Sequence, residues 1–115
     1  MKKILIAVAA LGFNYSVCAG DLFEIVTWKF RPEISITQAQ EATKGLDKFL
    51  KSVKGFKKRS TYFSKESGHW VDVVTWKNIE SARAALKAAE THRSYLAFRP
   101  LVDEKSVNLS HYEKR

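Results

Sequence analysis

One hexapeptide occurs twice, and it constrains this chain more than anything else in it. Glu24-Ile25-Val26-Thr27-Trp28-Lys29 returns as Asp72-Val73-Val74-Thr75-Trp76-Lys77, each residue displaced by 48 positions. Acid, β-branched residue, Val, Thr, Trp and Lys follow in the same register both times. Internal repetition of this kind signals two similar structural halves. The β-branched and aromatic content makes each copy a strand.

The segments around the two copies fill in both halves. Leu22–Phe30 forms the first strand, and Arg31-Pro32 ends it because proline cannot continue a ladder. Ser35 and Gln38 have capping-box spacing. Ile36, Ala39, Thr43, Leu46, Phe49, Leu50 and Val53 recur at helical spacing, predicting one helix that stops at a left-handed Gly55. A second strand runs from Phe56 to Ser64, and Lys65-Glu66-Ser67-Gly68 is a hairpin turn. The third strand is Trp70–Trp76. Asn78 caps a second helix with the small stripe Ala82, Ala85, Leu86 and Ala89. A short helical turn near Tyr95–Phe98 stops at Pro100, and Val107–Lys114 is the last strand.

The element order is β-α-β-β-α-β, the split βαβ or ferredoxin-like pattern. The expected fold class is α+β: a four-stranded antiparallel sheet with two helices on one face. The first and third strands are expected side by side at its centre, running parallel to each other.

Side chains alternate across a strand. Phe23, Ile25 and Thr27, with Val71, Val73 and Thr75, make a compact face suited to lie under helices. Leu22, Glu24, Val26, Trp28 and Phe30, with Trp70, Asp72, Val74 and Trp76, make a large aromatic face. Bare, such a face is a liability. It is therefore expected to meet a second copy, giving a homodimer around a shared interior. Glu24 and Asp72 lie on that face at equivalent positions. Buried acids are costly unless paired, and adjacent acids share a proton. Two readings follow. Either they are an acid/base or ligand-orienting site, or each is held by Arg59, Lys29 or a hydroxyl and does no chemistry.

His111 lies on the strand that should pair with the strand bearing Glu24, so a His–carboxylate contact can make it a general base. Alternation leaves open which face it occupies, and a satisfied core histidine is the other reading. His69 falls at the hairpin. His92, near a helix end, suits a surface role. No ligand spacing for a metal, phosphate-cradling loop or nucleophile elbow is present. The aromatic and basic pattern of RNA-recognition modules is also missing, so nucleic acid is not an expected partner.

The N-terminus has the order of a signal peptide. Met1-Lys2-Lys3 is basic, Ile4–Phe13 is apolar, and Val17-Cys18-Ala19 supplies small residues for cleavage before Gly20. Residues 1–19 are read as this signal and 20–115 as one domain, exported to the periplasm or secreted. Cleavage removes Cys18, the single cysteine, so thiol chemistry and disulfides are excluded from the mature domain. The formal charge of +8 includes Lys2 and Lys3. In an exported chain it points to anionic envelope surfaces or acidic ligands, or to a solvated basic surface.

These residues resemble the dimeric α/β-barrel superfamily, in its antibiotic-biosynthesis-monooxygenase-like group. The resemblance runs from Glu24-Ile25-Val26-Thr27 through Gly55-Phe56, then Trp70-Val71-Asp72-Val73-Val74 and Trp76 into Ala82 and Ala85, and ends at Ser106–His111. It spans nearly all of residues 20–115. It implies a dimer whose members include cofactor-independent oxygenases of polycyclic aromatics, haem-degrading enzymes and isomerases. The Trp and His of the haem-degrading branch would fall near Ala85 and Ser94 or Tyr95, and its first-strand Asn near Thr27, which argues against haem degradation. The expectation is an exported homodimer, with no cofactor and no metal, that binds a small apolar or aromatic compound. Glu24, Asp72 and His111 are the candidate catalytic residues; Trp28, Trp70, Trp76, Arg59 and Tyr62 line the pocket. The alternative is a non-catalytic ligand-binding or structural dimer module.

Overall fold

The computed structural model describes residues 20–115, so the signal-peptide reading of residues 1–19 lies outside the described residues. The elements are β1 (Leu22–Phe30), α1 (Ile36–Lys44), α2 (Asp47–Ser52), β2 (Phe56–Phe63), β3 (Trp70–Trp76), α3 (Ile79–Ala89), α4 (Arg93–Phe98), a 3-10 turn (Arg99–Leu101) and β4 (Val102–Glu113). The sheet order is β2-β3-β1-β4, with both helical layers on one face. This is the expected α+β, ferredoxin-like architecture.

The central pair differs from expectation. β1 and β3 run antiparallel, Glu24 facing Val74 and Val26 facing Asp72, rather than parallel. β2 is also antiparallel to β3. Each βαβ crossover therefore joins parallel strands that have a strand of the other half between them. The repeated hexapeptides are related by reversal of direction rather than translation.

The first predicted helix is two. Its start is as read: the Ser35 hydroxyl accepts from Gln38 N–H, and the Gln38 side chain accepts from Ser35 N–H. The chain then breaks at Gly45-Leu46, and α2 starts directly after, at Asp47. Gly55 has the left-handed φ of 90° but lies three residues past the end of α2, in the turn into β2. It also touches α3, since a Cβ there would sit 2.0 Å from Ser81 Oγ.

β4 begins at Val102, five residues earlier than periodicity indicated. Thr27 faces Asn108 while Lys29 faces Asp103, so two steps along β1 span five along β4. This bulge disrupts the alternation that a strand is recognised by. The Ser106 hydroxyl stitches it, accepting from Lys29 N–H at 2.8 Å and donating to Asp103 C=O at 2.6 Å.

The two sheet faces are the reverse of the expectation. Trp28, Trp70, Val74, Trp76, Glu24 and Asp72 are buried beneath the helices. Phe23, Ile25, Thr27, Val71, Val73 and Thr75 form the half-buried bare face. Volume explains the reversal. α3 presents alanines, and the indoles opposite supply most of the bulk between sheet and helix. Trp76, fully buried, packs with Ala82, Ala85, Leu22 and Val74. Trp28 and Trp70 pack with Ala39, Leu46, Phe98 and Val102.

Gly55→Ala should cost about 2 kcal/mol or more, because a positive φ and the Ser81 contact both oppose it. Gly68→Ala, at φ 79° with open space around it, should cost about 1 kcal/mol. Urea denaturation of the two variants checks the order; equal losses would contradict the close Gly55–α3 contact.

Candidate functional site

Burying two carboxylates under helices demands donors for four oxygens, and the structure supplies them differently at each acid. Asp72 faces Thr61 across the β2–β3 ladder, and Thr61 Oγ1 donates to Oδ1 at 2.5 Å. Arg59, on the same face of β2, donates from Nε at 3.1 Å and Nη2 at 2.8 Å to Oδ2. The Arg59 guanidinium is itself anchored. Its Nη1 donates to Thr43 C=O and to Asp47 Oδ1, at 2.9 and 2.7 Å. Asp72 thus joins β3, β2, α1 and the start of α2, and both of its oxygens are occupied.

Glu24 has no full-time cation. Trp76 Nε1 donates to Oε1 at 2.9 Å, from the diagonal position on β3. His111 faces Glu24 directly across the β1–β4 ladder, its Nε2 lying 3.2 Å from Oε2. The ladder thus places His111 on the helix-covered side of the sheet. Its side chain is 23% exposed against 6% for Glu24, so the pair runs from water to the interior. No hydrogen bond joins Glu24 to Asp72 among the described residues, and each acid has its own donors.

Both acids line a cavity of about 330 Å³ between sheet and helices. Its floor is Glu24, Val26, Trp28, Asp72, Val74 and Trp76. Its roof is Phe49 and Leu50 of α2, Ala85 and Ala89 of α3, and Tyr95 and Phe98 of α4. The alanine stripe leaves the height that the cavity occupies. At the mouth stand Leu86, Arg99 and the β4 residues Glu104, Val107 and Leu109, the first two β4 residues carried by the bulge. Leu86, Val107 and Leu109 are exposed large apolar side chains. Walls that are mostly apolar with a few convergent polar groups suit a small-molecule site.

Of the aromatic candidates, Trp28 and Trp76 line the cavity. Trp70 is buried behind Trp28, stacked at 6.4 Å. Trp28 Nε1 has no hydrogen-bond partner and lies among rings, with Phe30 and Phe98 edge-on at 6.2 and 5.7 Å. Three pocket candidates are therefore corrected: Trp70, Arg59 and Tyr62 do not line the cavity. Arg59 is consumed by Asp72, Asp47 and Thr43 and does not reach the cavity wall. Tyr62, opposite Val71, points to the bare face and is 60% exposed, because β2 alternates away from Thr61 there. The helical wall and the bulge residues were missed; the break at Gly45 and the early start of β4 hid their positions. His92 accepts from Ser94 N–H as the cap of α4 and packs on Phe49. His69 stays in the hairpin beside Ser67. No cluster of metal-ligating side chains occurs among the described residues.

No protein-family model matches the chain, and no curated protein matches it. Solved structures do. SnoaB, a cofactor-independent oxygenase from Streptomyces nogalater, is 14% identical with a TM-score of 0.67, over 84% of this chain and 95% of that one. A protein named as a candidate antibiotic biosynthesis monooxygenase from Bordetella bronchiseptica is 16% identical, also at 0.67, over 84% of this chain and 99% of that one. A dimeric ferredoxin-like protein of unknown function from Jannaschia is 15% identical at 0.60, over 83% of this chain and all of the other. The chain therefore shares the ferredoxin-like fold of these structures, the fold that its residues indicated.

Arg59→Gln should destabilise the chain by about 3–5 kcal/mol, since it strands Asp72 as a buried uncompensated charge. Adding Asp72→Asn should restore much of that loss. Chemical denaturation of both variants is the check; a double variant as unstable as the single would contradict the pairing.

Proposed function

We propose that this chain is an exported homodimer that takes a small apolar or aromatic compound into the cavity between its sheet and helices. There it oxygenates or isomerises the compound without a tightly bound cofactor. The observation that carries this reading is the Glu24–His111 pair, with Glu24 on the cavity wall and His111 reaching water. A carboxylate in an apolar cavity can take a proton from a phenolic or enolic hydroxyl, and a histidine in contact with both the acid and solvent can pass it on. The resulting anion either takes a proton back at another atom, an isomerisation, or reacts with dioxygen, an oxygenation. SnoaB, of the same fold, is a cofactor-independent oxygenase, which supports the second outcome. Asp72 is given no proton to move. Its oxygens are held by Arg59 and Thr61, and its role is to fix the floor of the cavity.

Dimerisation is read from the bare face. Phe23, Ile25, Val71 and Val73 leave an apolar centre without a covering layer in one copy, and a similar structure is described as dimeric. Export is read from residues 1–19. A second reading, ligand binding without catalysis, is favoured by one observation: all four oxygens of Glu24 and Asp72, the two buried acids on the cavity floor, already have hydrogen-bond partners.

Naphthols and naphthoquinones should quench the Trp fluorescence of the protein. Ala85→Phe, which fills the cavity, should weaken their binding at least about 10-fold. Unchanged affinity would place the ligand elsewhere. Glu24→Gln should keep binding within a few-fold while lowering oxygen uptake or isomerisation by about 100-fold or more. An unchanged rate removes Glu24 as the base and leaves the binding-only reading. By light scattering the chain should be a dimer and Val73→Lys a monomer; a monomeric parent chain would contradict the dimer.

A further inference from the structure

A dense group of exposed cations lies at one end of the sheet, apart from Glu24 and His111. Residues 48–58 hold five lysines, Lys48, Lys51, Lys54, Lys57 and Lys58, and no acid; all five are exposed. The fold adds another from a distant stretch. Lys77 N–H donates to Gly55 C=O at 2.8 Å, so the end of β3 lies against the turn between α2 and β2. Leu22 pairs with Trp76 on one side and Glu113 on the other, which puts the C-terminal Lys114 and Arg115 at the same sheet end. The nearby acids are few. Asp21 is engaged by Lys57, and Asp47 by Arg59; Glu80 and Glu113 complete the set.

We infer that this lysine cluster is a docking surface for an anionic phospholipid bilayer. Three features of the patch select that partner. Between residues 48 and 58 every exposed cation is a lysine. Lysine is a flexible point charge suited to a diffuse field of phosphates, whereas arginine forks suit single, geometrically defined phosphates. The exposed aromatics of β2, Tyr62 and Phe63, lie at the far end of that strand, and Tyr112 alone is exposed at the lysine end, short of the row of aromatics on which successive bases of a single strand stack. The basic and apolar order of residues 1–13 also brings the chain to a membrane during export. No helix among the described residues is long and apolar enough to cross one, so the contact is peripheral. Clustered lysines held near an anionic bilayer each add to its affinity, within a Debye length of the surface.

The test compares the full chain with Lys51→Gln/Lys54→Gln/Lys57→Gln/Lys77→Gln by co-sedimentation with vesicles of equal phosphatidylglycerol and phosphatidylcholine. Both proteins carry the same residues 1–19, so their difference reports the lysines alone. A control removes the same charge elsewhere: Lys65→Gln/Lys87→Gln/Arg93→Gln/Lys105→Gln. The parent chain should bind these vesicles more tightly than pure phosphatidylcholine, and 0.5 M salt should remove that difference. The cluster variant should bind about 100-fold more weakly or worse, and the control should bind within a few-fold of the parent. Equal loss in the control would reduce the effect to net charge and overturn the patch. A preference for anionic lipid that salt leaves unchanged, unchanged binding by the cluster variant, or capture of soluble polyphosphate but no preference for anionic vesicles would overturn the bilayer. Should the cluster variant misfold, the salt and lipid dependence of the parent chain decides the question.

Discussion

The structure depends on the hydrogen bonding of two carboxylates placed under its helices. Glu24 and Asp72 lie on the aromatic side of the two central strands, where an unpaired charge would be costly. Asp72 is neutralised by a buried arginine that also holds Asp47 and the end of α1. Glu24 is held by an indole N–H and a partly buried imidazole that reaches water. Two positions that look equivalent in the repeated hexapeptide therefore carry different duties. One ties four segments together. The other faces the cavity with a partner that communicates with water.

Much of this was legible in the chain. The repeat gave two halves, the Ser35–Gln38 box and Asn78 gave two helix starts, and the strand order followed. The pairing of β1 with β4 brought His111 opposite Glu24. The assignment of faces was not legible, because alternation separates two faces without saying which one the helices cover. Compact Val and Thr seemed the better floor for helices. The deciding fact was the other side of the contact: α3 presents Ala82, Ala85 and Ala89, and small residues above call for indoles below. Direction was hidden for a similar reason. Two matching strands imply a parallel pair only if nothing comes between each strand and its crossover partner, and here each has a strand from the other half beside it.

The cavity shows where local reading ends. Its roof comes from three helices and its mouth from a bulge in β4, none of which follows from one stretch of sequence. The alanine stripe was visible, but its consequence, empty height over Trp76 and Trp28, needed the packing. Low-identity likeness to solved structures adds the fold and no more. Any chemistry must come from this chain's own residues, and among them Glu24 and His111 combine access to the cavity with access to water.

The central claim is that the ligand enters each protomer's own sheet–helix cavity rather than a shared space between two sheets. Nitrogen–proton correlation spectra during titration with a naphthol test it most directly. The account predicts that the Trp76 indole N–H and the amides of Ala85, Ala89 and Tyr95 shift together, with Phe23, Ile25 and Val73 unmoved. Shifts confined to Phe23, Ile25 and Val73 would put the ligand on the bare face and contradict the account.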